Sequence, residues 1–465
     1  MISRVGLAVS RAFQRSAPDP FVIAIFLSLL TAVLALVLGD FDTAPGESRV
    51  VALLDAWRAE SGLWTFLAFG MQMCLILVTG HALASSRPVR SVIDLLAGLP
   101  RNTAQAAGLV SVVACLAALV NWGLGLIVGA LLAREVARVL KDKGIAAHYP
   151  LICAAGYMGL LVWHGGLSGS APLSMTTRQG AAKVMPESSL DRLGDVGIGL
   201  GETLFSGMNL VVTMGLVLGV PVLLMLMAPT SPDDIRTIDE FDPPAVARND
   251  TEPSSDLSGV PDRLDRSPIV VWIIALPLLL AFLRYVQVSG PGRIGLNQIN
   301  AVMLALGLIF HGSPRAYMDA VTEGARGCAG IIIQFPLYAG IMAMMVVSGL
   351  VGRLSDGLVS VGNETTIPLL SFVAAGVVNL FVPSGGGQWG IQGPIALQAG
   401  LDAGIAPGKM IMAVAYGDQL TNMLQPFWAL PLLGITGCKA RDIVGYTAVV
   451  MLFAGVWMGL GLLLF

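Results

Sequence analysis

Polar side chains that stand alone inside long apolar stretches are the places where this sequence could do chemistry. In the second half of the chain, Asp418 lies within an apolar segment and is followed by Thr421 and Asn422. A carboxylate in apolar surroundings is costly and is usually functional. Asp418 is therefore a candidate to carry a proton or, with Thr421 and Asn422, to bind a cation such as Na⁺. The alternative is an acid near a cavity mouth, paired with Lys409 or solvated.

The strongest candidate for binding an anion is the run Ser384-Gly385-Gly386-Gly387-Gln388, which follows Asn379. Glycines allow several backbone N–H groups to turn toward one point, as in an anion-binding nest, and Ser384 adds a hydroxyl. A flexible surface loop is the alternative. We expect Asn379 and Ser384 to contact a carboxylate of the ligand.

The first half offers a similar pair of polar breaks. Asn121-Trp122-Gly123 interrupts one apolar segment, and His164 opens a Gly- and Ser-rich break that contains Ser168 and Ser170. We expect Asn121 to support the anion from this side. His164 is a candidate to donate a hydrogen bond to a carboxylate, and a structurally satisfied histidine is the alternative.

An enzyme is a second interpretation of the same break. Gly166-Leu167-Ser168-Gly169 matches the pattern around the nucleophile of intramembrane serine proteases. The match is short, and His164 precedes the serine instead of lying on a later span. His81, at the end of another apolar span, is as much a candidate for a structural hydrogen bond as for function. We therefore assign no catalytic residue and expect a protein that is not an enzyme.

The composition identifies the class of protein that must position these residues. Of the 465 residues, 55% are hydrophobic and 12% are charged, which is about half the charge of a soluble domain. A soluble core cannot hide so much apolar surface, and scattered Gly and Pro favour packed, broken helices over a barrel. We therefore expect an all-α polytopic membrane protein surrounded by lipid. The formal net charge of −3 gives no sign of nucleic-acid binding.

No cofactor is expected. The five cysteines lie in or beside apolar segments without the spacing of metal ligands, which is typical of small buried hydrophobic residues. Gly408-Lys409 is followed by Met410 instead of Ser or Thr, so the sequence lacks a Walker nucleotide site. Transport driven by ATP on this chain is therefore not expected.

The two halves of the sequence resemble each other weakly. Asn121 precedes Tyr157 by 36 positions, and Asn379 precedes Tyr416 by 37. The excess of Lys and Arg on short loops places the N-terminus in the cytoplasm, provided that 103–139 enters and leaves on the same face. If 268–288 is one extra span that joins the halves, the second half starts on the opposite face, and the halves form an inverted-topology repeat.

Two re-entrant hairpins and two broken helices, at 149–177 and 408–436, complete the predicted fold class. Such architectures bind substrate at mid-membrane between discontinuous helices. A polar, acidic, Pro-rich stretch between the halves is expected to be a flexible cytoplasmic linker. The predicted parts are an amphipathic interfacial helix (1–20), a first membrane repeat (21–227) with a hairpin at 103–139, the linker (228–267), a connecting transmembrane helix (268–288) and a second, inverted repeat (289–465) with a hairpin at 366–405.

Four of the eight tryptophans flank the breaks, namely Trp122, Trp163, Trp389 and Trp428. Interfacial anchoring is the usual reason for membrane tryptophans, but it does not suit residues at a hairpin tip. Aromatic walls around a small polar centre indicate a ligand with a short apolar body and an anionic head. We expect Trp389 and Trp428 to limit the length of that body.

Five strings carry a resemblance to a known family: NWGLGLIVGALLAREVAR, FGMQMCLILVTGHALASS, VPSGGGQWGIQGP, AYGDQ and QPFWALP. On these strings the chain resembles the bacterial short-chain fatty acid transporters, a family of the wider ion transporter superfamily. The resemblance implies an elevator-type carrier in the bacterial inner membrane for acetoacetate, butyrate or similar monocarboxylates, coupled to H⁺ or Na⁺. Family members often carry Glu where Asp418 stands and Gly where His164 stands. The resemblance thus implies that an acid is kept at position 418. It also weakens the claim that His164 is indispensable.

We therefore predict a secondary active transporter whose hairpins and broken helices move as one unit, with the other helices as a scaffold and a homodimer interface. Coupling is expected because an anion held at mid-membrane without a cation leaves a buried net charge. A channel or facilitator for small anions is the alternative, and a protease using Ser168 is a remote one. The coupling ion, the preferred acid and the direction of transport stay open.

Overall fold

The structure is a computed structural model that describes every residue except 1, 17, 42–47, 177, 183–189, 191–196, 242–258, 291–295 and 360–361. The described residues form helices joined by short connections and contain no β-strand. The α-helices, numbered in chain order, are α1 Ile2–Ser16, α2 Pro20–Leu38, α3 Arg49–Arg58, α4 Leu67–Ser85, α5 Arg87–Ala97, α6 Thr103–Val120, α7 Trp122–Asp142, α8 Tyr149–Tyr157, α9 Ser170–Ser174, α10 Arg178–Ala181, α11 Gly207–Met227, α12 Val260–Asp265, α13 Pro268–Ser289, α14 Leu296–His311, α15 Pro314–Ala325, α16 Ala329–Val347, α17 Leu350–Val359, α18 Ile367–Asn379, α19 Gly385–Asp402, α20 Pro407–Thr421, α21 Pro426–Thr436 and α22 Ala440–Leu464.

Several helices are long and apolar enough to cross a membrane. Seven spans meet this description among the described residues, and an eighth is formed if α4 and α5, which are bent by 86° against each other, are counted together. Within the protein, 11% of the α13 span is buried, against 89% of the span from Tyr149 to Ser174. α13 is therefore exposed along most of its length, whereas the first-half broken helix runs through the centre of the protein. The predicted all-α, multi-pass membrane fold is confirmed.

A single residue separates α6 from α7. Asn121 ends α6 and caps α7, where its side-chain oxygen accepts the N–H groups of Gly123 at 2.9 Å and Leu124 at 3.3 Å. The two helices approach closely because Gly125 has no side chain: a Cβ there would lie 2.4 Å from the Cβ of Ala118. The sequence between 103 and 139 thus forms a tight helix–break–helix unit, and its re-entrant course stays a prediction.

Two helices are interrupted along their course. α8 is followed by 3₁₀ turns at Met158–Leu161 and Trp163–Gly165 before α9 begins, and a 3₁₀ turn at Asn422–Leu424 separates α20 from α21. The Tyr157 hydroxyl donates to the carbonyl oxygens of Asn422 at 2.9 Å and Gln425 at 3.2 Å. The two interruptions therefore touch, one from each half of the chain. We call this contact region, residues 157–165 and 418–425, the crossing.

The second hairpin has a longer break than the first. Residues 380–384 separate α18 from α19, and Ser384 caps α19 by accepting the Gly387 N–H at 3.2 Å. Gln425 at the crossing donates from Nε2 to the Leu380 carbonyl at 2.9 Å. The tip of the second hairpin is therefore fixed to the crossing. The inverted relation between the two halves stays a prediction.

Other helices hold the N-terminal helix and the start of the linker. α1 packs on α22, where a Cβ at Gly445 would lie 2.2 Å from the Cα of Ser10. In the linker, the Arg236 N–H donates to Nδ1 of His148 at 3.1 Å, and the Arg236 guanidinium pairs with Asp442 at 2.8 Å. The linker is thus anchored where it leaves the first half. Its residues 242–258 lie outside the described residues.

Candidate functional site

The carboxylate of Asp418 lies at the crossing and is enclosed by protein. The residue is 2% exposed, and its Oδ2 lies 3.6 Å from Nδ1 of His164, beyond hydrogen-bond distance. The N-terminus of α19 also approaches: a Cβ at Gly385 would lie 3.2 Å from this Oδ2 and 2.7 Å from the Trp163 ring. Only glycine therefore fits here without displacement. The positive end of the α19 dipole favours the negative carboxylate.

Three contacts hold His164 in one orientation. Its Nε2 accepts the Ala171 N–H at 3.1 Å, its backbone N–H donates to Oε1 of Gln419 at 3.0 Å, and its ring stacks on Trp163 with centroids 4.2 Å apart. A ring nitrogen that accepts carries no proton, so the neutral imidazole carries its proton on Nδ1, which lies toward Asp418. Neither this Nδ1 nor Oδ2 of Asp418 has a hydrogen-bond partner among the described residues.

Asn379 joins the three candidate cation-binding residues into one group. Its Nδ2 donates to the Asp418 carbonyl at 2.8 Å, to Oγ1 of Thr421 at 3.0 Å and to Oδ1 of Asn422 at 2.9 Å. Its Oδ1 is buried and has no partner among the described residues. We expected Asn379 to contact the ligand carboxylate, but its donor nitrogen is committed within the protein. The oxygen that is left suits a cation.

The rest of the glycine-rich run serves mainly to shape the second hairpin. Ser384 is the N-cap of α19, and the buried Gln388 donates from Nε2 to the Ala375 carbonyl and to Oε1 of Gln392, both at 2.8 Å. Gly386 is exposed, and a Cβ there would have no neighbour within 4 Å. The run therefore offers one open side at Gly386 and one closed side at Gly385.

The first-half candidates come together at the tip of the first hairpin. Oγ of Ser168 accepts the Trp122 N–H at 3.0 Å, so the break after His164 is attached to the hairpin. Asn121 and Gly123 form the cap of α7 described above, and Ser170 is the half-buried first residue of α9. These contacts give Asn121 and Ser168 a clear structural role.

Three of the four candidate tryptophans form a cluster beside His164. The Trp122 ring lies edge-on to Trp163 at 6.3 Å and to Trp428 at 5.1 Å between centroids. The indole nitrogens of Trp163 and Trp428 are buried without a partner among the described residues. The cluster therefore combines an apolar wall with two unused hydrogen-bond donors.

The structure does not bring Trp389 or His81 to this cluster. Trp389 packs in a separate apolar group with Ala171 and Met175. His81 lies on α4, where its Nε2 is 3.7 Å from Glu323 of α15. The group of Trp389 adjoins the crossing through Ala171, whose N–H donates to His164, whereas His81 lies apart from it.

Several residues at or beside the crossing were missed by the sequence analysis. Gln419 and Gln425 orient His164 and the second hairpin tip, and Phe427 stacks on Phe335 with centroids 4.1 Å apart. Phe69 extends the aromatic wall, with its centroid 6.0 Å from Trp428 and 6.4 Å from Trp122. The only available signal was that most of them lie in or next to the strings that carry the family resemblance.

The atoms of the Asn379 group that could bind a cation are oxygens. Among the described residues, no group of three or more His, Cys, Asp and Glu side chains converges. A cation at Asp418 would therefore depend on one carboxylate together with amide, hydroxyl or backbone oxygens, which are the ligands of hard cations.

Comparison with known proteins places the chain among transporters. The family model described as short chain fatty acid transporter matches residues 1–465. Two relatives are provisionally named short-chain fatty acid transporters. The relative from Escherichia coli (strain K12) is 40% identical over 471 residues, covering 100% of both chains. The relative from Haemophilus influenzae is 37% identical over 467 residues, covering 99% of both chains.

Two solved structures are similar at a low level. The Alcanivorax borkumensis YdaH transporter has a TM-score of 0.42 at 16% identity, covering 96% of this chain and 97% of its own. Neisseria gonorrhoeae MtrF, from a class of antimetabolite efflux pumps, has a TM-score of 0.38 at 16% identity, covering 98% and 96%. The family is shown by the match to the family model and by the two relatives, not by these structures. The chain belongs to the short-chain fatty acid transporter family.

Proposed function

We propose that the protein is a secondary active carrier that couples the movement of short-chain monocarboxylates, such as acetoacetate or butyrate, to H⁺ or Na⁺. The observation that carries this proposal is the crossing. There an enclosed carboxylate, an oriented imidazole and unused indole donors lie in one cluster formed by both halves of the chain.

The charge of Asp418 supplies the reason for coupling. A second carboxylate brought beside it would be strongly unfavourable in an enclosed site. A proton on Asp418, or Na⁺ bound between Oδ2 of Asp418 and Oδ1 of Asn379, compensates for the incoming anion. Cation and anion then add no net charge, so the loaded site is no harder to move across the membrane than the empty one.

The donors and the aromatic wall account for selectivity. In this proposal the substrate carboxylate accepts hydrogen bonds from Nδ1 of His164 and from the indoles of Trp163 and Trp428. Its alkyl chain packs against Trp122 and Phe427. Because large rings surround the polar centre, we expect a short chain to fit better than a long one.

A protease using Ser168 finds no support in the same geometry. Oγ of Ser168 accepts the Trp122 N–H, while Nε2 of His164 accepts the Ala171 N–H and Nδ1 lies toward Asp418. No nitrogen of His164 is therefore left to take a proton from Ser168, as nucleophilic catalysis would require.

We extend the proposal to the movement of the carrier. The two hairpins and the two broken helices form the moving unit of an elevator, and the lipid-facing helices form the scaffold and a homodimer interface. The protein lies in the bacterial inner membrane with its N-terminus in the cytoplasm. The repeat within the chain gives the two-sided access that alternating exposure needs.

Uptake by reconstituted protein tests the proposal. Purified protein in liposomes is given labelled butyrate under a pH gradient, a Na⁺ gradient or neither. Acetate, acetoacetate and hexanoate serve as competitors. A carrier predicts saturable uptake, stimulation by one of the gradients and counterflow from preloaded vesicles. Conductance without counterflow would favour a channel, and uptake that ignores both gradients would contradict coupling.

A further inference from the structure

A cavity lies against the crossing, where the N-terminal helices and the last helix meet it. It has a volume of about 170 Å³ and lies between the end of α1, the start of α2, the crossing and the first turns of α22. Its walls include Phe13, Ile23, Ala429 and Val444, and Arg441 is the only charged residue among the described residues that line it. The cavity is therefore an apolar chamber with one cation in its wall.

The polar groups of the inner wall already have partners. The Tyr157 hydroxyl donates to two backbone carbonyls of the crossing, and Nε2 of Gln425 donates to the Leu380 carbonyl at 2.9 Å. The Thr447 hydroxyl donates to the Met423 carbonyl. A polar ligand would gain little from this wall, whereas an apolar chain would be sheltered from water.

Arg441 differs from the inner wall in both exposure and pairing. Its side chain is exposed and makes no hydrogen bond or ion pair with the described residues. The neighbouring acid, Asp442, is instead paired with Arg236 at 2.8 Å. An uncommitted guanidinium beside an apolar chamber matches a ligand with a carboxylate head and an alkyl tail.

We propose that this cavity is a second binding site, for a single-chain acyl anion longer than the transported substrates. The alkyl chain lies between Phe13, Ala429 and Val444, and the carboxylate lies on Arg441. The site is separate from Asp418 and does not depend on transport. A free medium-chain fatty acid and one chain of an anionic phospholipid share this chemistry. The cavity has room for one such chain, so a phospholipid would have to leave its second chain and its glycerol outside.

The cavity is also placed to influence the crossing. One wall belongs to α1, α2 and α22, and the other belongs to the turn that joins α20 to α21. A bound chain would therefore contact both sides at once. If the hairpins and broken helices move as proposed above, occupancy would hold them against the neighbouring helices and slow transport.

Binding is tested with labelled octanoate and full-length protein in zwitterionic phosphatidylcholine nanodiscs. We expect saturable binding that tightens about three- to fourfold for each methylene added between hexanoate and decanoate. Arg441→Gln should weaken binding at least tenfold, Arg441→Lys should restore part of it, and Val444→Trp should abolish it by filling the cavity. Lys409→Gln, which removes a cation elsewhere, should bind as wild type.

The outcomes separate this proposal from the proposed function and from a lipid site. Asp418→Asn should lose coupled uptake but keep octanoate binding; loss of binding in Asp418→Asn with retention in Arg441→Gln would place octanoate in the central site and overturn the proposal. The proposal is also overturned if phosphatidylglycerol co-purifies with wild type but not with Arg441→Gln, and octanoate does not displace it.

Discussion

The first-half break and the second-half break meet at the crossing but contribute different chemistry. The first supplies the imidazole of His164 and the indole of Trp163, with no acid between Tyr157 and Gly169. The second supplies Asp418 and a group of oxygens drawn together by Asn379. The acid of the crossing thus comes from the second half alone. Both halves contribute to the aromatic wall and to the neutral donors, since Trp428 lies in the second half beside Trp122 of the first.

The two hairpin tips differ in how closely they are packed. In the first half the packing is closed: a Cβ at Gly166 would lie 2.6 Å from the Leu119 carbonyl oxygen, and Asn121 alone joins the helices. In the second half the tip has five residues, and Gly386 faces open space. The second hairpin tip is therefore the more open of the two.

The largest expected effect is that of Asp418→Asn. Removing the charge leaves nothing to attract H⁺ or Na⁺, while the substrate anion must still be buried. Breaking a buried charge partnership costs about 3–5 kcal/mol, so gradient-driven butyrate uptake in liposomes should fall about 100-fold or more. Asp402→Asn, the same change at the end of α19, should transport as wild type. If uptake by Asp418→Asn depended on the gradient as in wild type, the coupling role of the second-half acid would be contradicted.

Gly385→Ala should have the next largest effect. The added methyl group would meet the Trp163 ring at 2.7 Å and Oδ2 of Asp418 at 3.2 Å. Overpacking of this kind costs about 1–3 kcal/mol, so uptake should fall roughly 10- to 100-fold at saturating butyrate. Gly390→Ala, on the same helix with no neighbour within 4 Å, is the matched control and should be active. Equal activity of the two variants would mean that the α19 terminus does not have to approach Asp418.

The sequence was sufficient to predict the helical membrane class, the family and the interrupted segments, because isolated polar residues in apolar runs are visible without coordinates. It also placed Asp418, Thr421 and Asn422 together, since all lie on one segment. It could not show that the Asn379 side-chain nitrogen donates to that group, or that Trp389 packs with Ala171 and Met175. Both outcomes depend on how α18 and α19 pack against other helices, and a periodic pattern does not encode partners distant in sequence.

A smaller effect is expected from His148, which precedes the first-half broken helix and lies outside its span. Burial and the nearby Arg236 lower the pKa of this imidazole from 6.5 to about 4, against the opposing charges of Asp234 and Asp442. Its Nε2 also contacts the Tyr446 hydroxyl at 2.8 Å. The second half has Ala406 at the corresponding helix start.

The lowered pKa of His148 predicts how the stability of the protein depends on pH. The unfolded chain takes up a proton on His148 near pH 6.5, whereas the folded chain does so only near pH 4. The contribution of His148 to stability is therefore complete above pH 6.5, falls as the pH drops toward 4 and then stays level, by about 3 kcal/mol in all. Thermal unfolding in detergent should show a steeper loss between pH 7 and 4.5 for wild type than for His148→Gln. Parallel curves would contradict the prediction.

The smallest expected effect compares the two tyrosines at matching positions in the halves. The Tyr157 hydroxyl joins the two breaks, whereas the Tyr416 hydroxyl donates to Oδ1 of Asn209 at 3.0 Å, an oxygen that also accepts from Thr213 at 2.9 Å. Tyr157→Phe removes the hydrogen bonds from this hydroxyl to the Asn422 and Gln425 carbonyls, although the Asn422 carbonyl still accepts the Gln425 N–H at 3.1 Å, and it should cost about 1 kcal/mol. Tyr416→Phe leaves Asn209 with Thr213 and should cost about half as much. Thermal unfolding measures both, and the KM for butyrate should rise in Tyr157→Phe alone, because only that hydroxyl joins the two breaks at the crossing. Equal changes in KM would mean that the contact between the breaks holds the fold together without shaping the site.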